Sequence, residues 1–460
     1  MKKPLITPAL AFSVICGFSL DTVAAEFTGS SIATDPVTGN AALTGGSTLE
    51  DFFTAAMNYN PRLRIAEESM NVGSARRRAA DGQLLPQLSA NGSVSDNRRE
   101  TGTIPQNYDG ERYSIQLRQL LFNWQAFASR RRAHAFEDQS EAEYYNELAM
   151  VLTDVADRYF SVLQAEDALR SVQTELEAVN NQLQQVESLY ERQMTQITDL
   201  YQTQASAAAV RAQELQIQSQ LQITRQALRS VTGLEPIRLY RLSDDIEIPD
   251  IEEGMDYWTE LAQGSNYEIQ AREYALTASR ELVSERRGAY MPNVDLIVQQ
   301  QNSNLGFDNA PIAKTDTTYV GINVSIPLFA GGSNRAGVSE AISMQNIAQN
   351  ELRQVRLEVT ERVRTAHLQL QNSRLLTEAA RSLVESATLS ATAMQRGFEL
   401  GTVTSVDVLN AIRNQYQAER DLQQARYDHV RFLLELKREA GILQPEDLLE
   451  VGSWLESPDS

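Results

Sequence analysis

The residues that could do chemistry are few and scattered. His134, His367 and His429 lie far apart in a chain of 460 residues, and none has a second histidine or a cysteine at metal-ligand spacing. Cys16 is the single cysteine. No nucleophile elbow, phosphate loop or zinc pattern occurs. His429 sits in an apolar stripe, as a core or inter-helix residue does. The paired acids Glu67–Glu68 and Asp244–Asp245 read as solvated charges. The expectation is a protein that is not an enzyme and needs no cofactor and no metal. Two acids stand out by position. Asp199 and Asp407 each follow a turn between helical segments, where an acid in the first helical turn caps free N–H groups and meets the helix dipole. The runs Arg76–Arg78 and Arg130–Arg132 lie on helical segments near strand ends. They could meet lipid headgroups, acids of a neighbouring helix, or solvent alone.

The elements that carry these residues come twice. Asn60–Leu85 leads into Pro86, and Asn266–Met291 leads into Pro292, 206 residues later. The strand-like run Tyr113–Phe122 answers to Val320–Phe329 at an offset of 207, and Asp199 answers to Asp407 at 208. The offset drifts by only two over the whole half, so one unit has been copied once. Each copy reads helix, strand, strand, long helix, helix. A repeat this large is no short solenoid module; it implies a protomer with internal two-fold-like symmetry.

The first 25 residues read as a secretory signal. Lys2 and Lys3 form a basic start, Leu5–Leu20 is apolar, and Val23, Ala24 and Ala25 offer a cleavage site. An inner-membrane anchor is the alternative for this stretch. Ile15 stands where a lipoprotein signal needs a small residue before Cys16, which argues against lipidation. Cleavage leaves 39 basic and 60 acidic residues, a net charge of −21, so nucleic acid is a poor partner. Beyond residue 25 no apolar run reaches the roughly 18 residues of a membrane-spanning helix. Spanning by β-strands remains open, because their hydropathy signal is weaker.

Residues 26–46 read as an extended leader. After Pro86 the apolar period becomes two: Leu88, Ala90, Gly92 and Val94 share one face. Asp96–Arg112 is polar and reads as a loop, and Ile115, Leu117, Gln119 and Leu121 alternate again. The second copy repeats this, with Val294, Leu296 and Val298, a loop over Asn302–Asp316, and Val320, Ile322, Val324, Ile326 and Leu328. These are two hairpins of strands of roughly 10 residues, the length that crosses a bilayer when tilted.

A long helix follows each hairpin. In the first, Leu148, Val151, Val155, Arg158, Val162, Ala165, Leu169, Val172, Leu176, Val179, Leu183, Val186 and Tyr190 are spaced 3-4-3-4 over six heptads, the period of a coiled coil. Val408–Leu436 repeats the pattern, and Leu376, Ala380, Leu383, Ala387 and Met394 form a further stripe. A helix from about Gln125 to Gln193 would be on the order of 100 Å long and must bury its stripe on other helices. Two hairpins supply four strands, which cannot close a barrel alone, and open edges are not tolerated in lipid. Three chains would give a twelve-stranded barrel wide enough for water.

These residues resemble a known family, the TolC outer-membrane exit ducts of efflux and type I secretion. The resemblance rests on Arg158–Leu169 and Gln196–Asp199, then Ile326–Gly332, Gly401–Leu409, Ala425–Tyr427, Leu434–Lys437 and Ala440–Gly441. In that order, at that duplicated spacing, behind a signal peptide, the motifs are specific. The resemblance covers about Ser47 to Leu443. It implies a mainly α homotrimer, with a short shared β-barrel in the outer membrane above a long α-helical tunnel in the periplasm. A periplasmic adaptor would dock at the helix-turn tips (Gln193, Met194, Thr195, Gly401 and Thr402) and link the duct to an inner-membrane ABC or proton-driven transporter. The resemblance places Asp199 and Asp407 at an acidic constriction. Three neighbouring positions depart from the family. Asn410 stands where it has a second acid, Phe398 where it has a latch Tyr, and Val403 where it has a latch Arg.

The expected organisation is a first repeat over 47–234, with strands about 86–96 and 112–122, and an equatorial linker over 235–257. A second repeat follows over 258–443, with strands about 292–302 and 317–329, then a tail over 444–460. The rival reading is a periplasmic coiled-coil adaptor or scaffold of a transport complex, which paired bilayer-length hairpins do not suit.

Overall fold

A computed structural model describes residues 48–101, 104–243, 251, 253–306 and 309–457. The signal and leader readings, and Asp244–Asp245, lie outside these residues. In the first half α1 (Leu49–Tyr59), α2 (Pro61–Gly82), β1 (Gln87–Thr101), β2 (Ile104–Phe122), α3 (Trp124–Glu191) and α4 (Ile197–Thr232) follow in order. After β3 (Arg241–Leu242), the second half repeats them as α5 (Met255–Ser265), α6 (Tyr267–Gly288), β4 (Asn293–Leu305), β5 (Pro311–Ser325), α7 (Ser333–Glu399) and α8 (Ser405–Glu439). α9 (Pro445–Ser453) and β6 (Leu455–Glu456) close the chain. The copies match in detail. Asn60 ends α1 and caps α2 by accepting from the Arg62 N–H at 2.9 Å, and Asn266 does the same between α5 and α6 toward Glu268 at 3.0 Å. α3 and α7 have 68 and 67 residues, about 100 Å of helix each.

The heptad stripe of α3 is its packed face. Val151, Val155, Val162, Ala165, Val172, Val179 and Val186 are all buried. Arg158, the charged exception, is held by Asp154 at 2.8 Å and by the carbonyl of Ala227 on α4 at 3.1 Å. The main core lies at mid-length of the long helices. There Phe52 of α1 packs edge-on to Tyr159 of α3 (5.7 Å between centroids), and Phe160 meets Tyr427 of α8. The Tyr159 hydroxyl donates to the carbonyl of Tyr240 at 2.8 Å. Burial holds this phenol far above its usual pKa, so it stays a donor. Here the inter-repeat linker meets the chain end: β3 pairs antiparallel with β6, and the Ser243 N–H donates to the Trp454 carbonyl at 3.1 Å. The stripe of α7 behaves differently. Leu376 is 62% exposed and Leu383 53%, because this face turns away from the chain's own helices.

The four long strands form one antiparallel sheet in the order β1-β2-β4-β5. Its register aligns Leu88, Leu117, Val298 and Val320 in one cross-strand row, and Ser89, Gln116, Gln299 and Tyr319 in the next. Since neighbours along a strand point to opposite faces, one face is apolar and the other polar. The ion pair Arg118–Asp295 (2.8 Å) lies on the polar face. β1 and β5 are the sheet's edges, with no further strand beside them among the described residues.

Two sequence expectations are corrected. Residues 96–101 and 104–112, and residues 302–305 and 311–316, are strand and not loop. β1 and β2 pair from Gln87↔Arg118 out to Thr101↔Ile104, and β4 and β5 out to Leu305↔Pro311. Ladder hydrogen bonds join backbone groups whatever the side chains are, so the strand continues where the apolar alternation stops. β5 ends at Ser325 and not near Phe329, because Pro327 has no N–H to give a ladder.

Candidate functional site

The two turns between long helices lie at one end of the bundle. Val172 and Val179 of α3, Val210 of α4, and Val408, Leu409 and Ile412 of α8 form one buried cluster, with Met394 and Phe398 of α7 packed against it. Each turn leaves its helix by the same hydrogen bonds. In the first, the Gln193 N–H donates to Tyr190 O (2.8 Å) and the Met194 N–H to Leu189 O (2.8 Å). In the second, the Gly401 N–H donates to Phe398 O (2.9 Å) and the Thr402 N–H to Gly397 O (2.9 Å). This exit needs one residue in the left-handed region. Gly401 takes it at φ 74°, and Gln193 takes it at φ 61° without being glycine.

The entries into the next helices differ. Thr404 caps α8 in a reciprocal box: the Asp407 N–H donates to Thr404 Oγ1 (3.3 Å), while the Thr404 hydroxyl and N–H donate to Asp407 Oδ2 (2.6 and 3.1 Å). These bonds, the hydroxyl first, hold the exposed Asp407 carboxyl below its ordinary pKa. Gln196, the counterpart of Thr404, caps α4 without a side-chain bond. Asp199 is instead reached by the Thr195 hydroxyl at 2.7 Å and is half-buried. The capping reading of Asp407 is thus realised in its geometry. An exposed carboxylate held ionised can also serve as a fixed charge at an opening.

The remaining expected residues divide by exposure. Asn410 is exposed on α8, while Val403 and Phe398 are half-buried. Val403 turns back on its own chain. A Cβ on Gly397 would lie 2.7 Å from Val403 Cγ2, so the close approach depends on that glycine. Gln193, Thr402 and Gly401 are exposed, Thr195 is half-buried and Met194 is 70% exposed. Leu400, which sequence reasoning passed over, is 79% exposed at the same end.

A buried ion pair also escaped the sequence. Glu175 of α3, 1% exposed, receives the Arg420 guanidinium of α8 at 2.9 Å. Arg420 donates further to Gln417 (2.9 Å) and lies 3.4 Å from the Ser171 hydroxyl. The partners are 245 positions apart in different copies, and no local pattern joins them. Among the described residues no His/Cys/Asp/Glu group is arranged to hold a metal, and no helix is long and apolar enough to cross a membrane.

The similarity to known proteins runs through both copies. The family model described as outer membrane efflux protein matches residues 54–234 and 258–441. The chain is 27% identical over 411 residues to the outer membrane protein TolC of Vibrio cholerae, covering 88% of this chain and 93% of that protein. It is 26% identical over 411 residues to the alkaline protease secretion protein AprF of Pseudomonas aeruginosa, covering 87% and 85%. The solved Campylobacter jejuni CmeC outer membrane channel superposes with a TM-score of 0.74 at 16% identity, covering 89% of this chain and 90% of that one. The outer membrane protein VceC of Vibrio cholerae does so at 0.74 and 20%, covering 85% and 96%. The adaptor reading gives way, because the match takes in both hairpins and both helix pairs. An outer-membrane protein built from two copies of one helix–hairpin–helix unit, the chain belongs to the outer membrane efflux protein family.

Proposed function

We propose that three copies of this chain join their sheets edge to edge into a twelve-stranded barrel in the outer membrane, continued by their long helices as a tunnel in the periplasm. The duct gives the cargo of an inner-membrane pump an exit path, and the chain itself performs no reaction. The observation that carries this reading is the sheet: four strands, one apolar face, one polar face and two unpaired edges. In lipid an open edge leaves backbone groups unbonded, so the edges must meet other strands. The exposed leucines of α7, Leu376 and Leu383, call for the same remedy, a neighbouring copy. The polar face then lines a wet lumen, and the apolar face meets lipid.

The helix-turn end, with Asp199, Asp407, Asn410, Phe398 and Val403, would be the periplasmic mouth. Two exposed apolar side chains there, Met194 and Leu400, favour docking of a periplasmic adaptor at the tips formed by Gln193, Met194, Thr195, Gly401 and Thr402. The adaptor would join the duct to an ABC or a proton-driven transporter. Secretion of a protein is the cargo route that the similarity to AprF and to the proteases secretion protein PrtF of Dickeya chrysanthemi favours.

The test is oligomeric state and conductance. Detergent-purified protein should run as a trimer that heat dissociates, and should insert into planar bilayers with discrete conductance steps. A detergent-soluble monomer that never conducts would overturn the proposal. For the cargo route, deleting the gene should abolish secretion of a protein while leaving drug susceptibility unchanged. The opposite pattern would favour efflux.

A further inference from the structure

The arginines near the sheet end of the helices differ in their partners, and Arg76 and Arg78 of α2 are exposed and form no ion pair among the described residues. Arg77, Arg130, Arg131 and Arg132 are taken up by acids of neighbouring helices: Glu137 (2.6 Å), Asp81 (2.5 Å), Glu281 (2.8 Å) and Glu285 (3.3 Å). Arg286 and Arg287 in the last turn of α6, and Arg335 in the first turn of α7, are exposed and form no ion pair among the described residues. The two helix ends sit together. Asn334 donates to the Ala289 carbonyl at 3.4 Å, and the Arg286 Cδ would lie 3.9 Å from a Cβ on Gly337. Between β5 and α7 the chain runs through Leu328 and Phe329. At 94% and 89%, these are the most exposed large apolar side chains among the described residues.

We infer that Arg286, Arg287, Arg335, Leu328 and Phe329 form a collar that binds anionic phospholipid of the membrane leaflet facing the periplasm. The inference rests on the membrane placement of the sheet proposed above. Leu328 lies three residues beyond the end of β5, whose apolar face carries Val320, Ile322 and Val324, so the collar adjoins the surface proposed above to meet lipid. Where that surface ends, apolar side chains enter the acyl boundary and guanidinium groups meet the phosphates, which they bind in bidentate fashion. A purely structural role explains only part of the set. Arg286 and Arg287 favour the C-terminal end of α6 through the helix dipole, but Arg335 lies at the N-terminal end of α7, where that dipole opposes a cation. A phosphate over both helix ends accounts for all three.

Trp124 supplies the reporter. Its Cδ1 would lie 2.9 Å from a Cβ on Gly288, at the end of α6. It is 37% exposed, whereas Trp258 and Trp454, the other two tryptophans of the chain, are buried. The full-length protein is reconstituted into phosphatidylcholine vesicles carrying dibrominated phosphatidylglycerol or dibrominated phosphatidylcholine, and tryptophan quenching is read, with Trp124→Phe as the blank. The collar predicts quenching by both lipids, with a preference of about fivefold or more for the anionic one. The preference should fall toward unity in 1 M salt and in the triple variant Arg286→Gln, Arg287→Gln, Arg335→Gln. Equal quenching by the two lipids, or a preference that salt leaves unchanged, overturns the collar while leaving the membrane placement intact. Absence of quenching by either lipid sinks the placement itself. The salt arm needs no variant, so a triple variant that fails to assemble does not remove the test.

Discussion

Gln193 and Gly401 occupy the same position in the two helix turns, 208 residues apart, and both adopt the left-handed backbone, at φ 61° and 74°. A side chain in that region costs roughly 1–2 kcal/mol, and glycine avoids it. The first tip thus carries strain that the second does not. Gln193→Gly should stabilise the first turn by up to about 1 kcal/mol after glycine's greater unfolded-state entropy is counted. Gly401→Gln should destabilise the second by a similar amount. Hydrogen exchange at the Met194 and Thr402 amides reads the two turns separately. Equal and unchanged protection in both variants would contradict the assignment.

Glu175 and Arg420 make the next prediction. Their ion pair is buried where α3 of one copy meets α8 of the other, so removing one partner strands a charge. Arg420→Ala should cost about 3–5 kcal/mol, whereas Glu175→Leu with Arg420→Met should cost far less or even stabilise. A double-mutant cycle on thermal unfolding measures the coupling. Additive effects would mean the pair is incidental.

The sequence made the repetitive parts of this fold legible and the long-range parts not. The 3-4 spacing from Leu148 to Tyr190 marked the buried face of α3 because a coiled-coil seam is written locally. The alternation from Leu88 to Val94 marked β1 for the same reason, with one apolar and one polar face. Past Asp96 the residues of both faces are polar, and the strand continues without a pattern to betray it. The Glu175–Arg420 pair and the β3–β6 pairing of the linker with the tail depend on residues far apart in the chain, which no window can join. At the helix turns, the place of Asp407 just after a turn marked it as a first-turn acid, while its capping partner Thr404 went unmarked. That Thr195 would reach Asp199 in place of a capping Gln196 was decided by side-chain geometry alone.

The sheet's two faces should tolerate charge differently. Val324 shares the apolar face with Ile322, and Asn323 lies on the other. Val324→Arg should impair membrane assembly by about 2–4 kcal/mol if it lies near the midplane, while Asn323→Arg, facing water, should cost little. Trimer yield in isolated membranes is the readout. Equal yields for the two variants would mean that the apolar face does not meet lipid.

At Asp407, charge and capping can be separated. Asp407 has a folded-state pKa held below its unfolded value by Thr404. The cap's stabilising contribution is therefore fully present above the ordinary carboxylate range, about pH 4, and is lost as pH falls through the depressed value. Three copies of Asp407 at a shared opening would also draw cations. Asp407→Asn removes the charge and keeps an acceptor for the cap, whereas Thr404→Ala loosens the cap and keeps the charge. If the carboxylates form a constriction, Asp407→Asn should reduce cation selectivity and block by trivalent cations in planar bilayers. Thr404→Ala should leave both largely intact at neutral pH while raising the pH at which selectivity is lost, because the carboxyl no longer has its hydroxyl donor. Should Thr404→Ala reproduce the loss of selectivity at neutral pH and Asp407→Asn leave it unchanged, then Asp407 serves the start of α8 alone, and the charge that selects cations belongs to Asp199 or lies elsewhere in the tunnel.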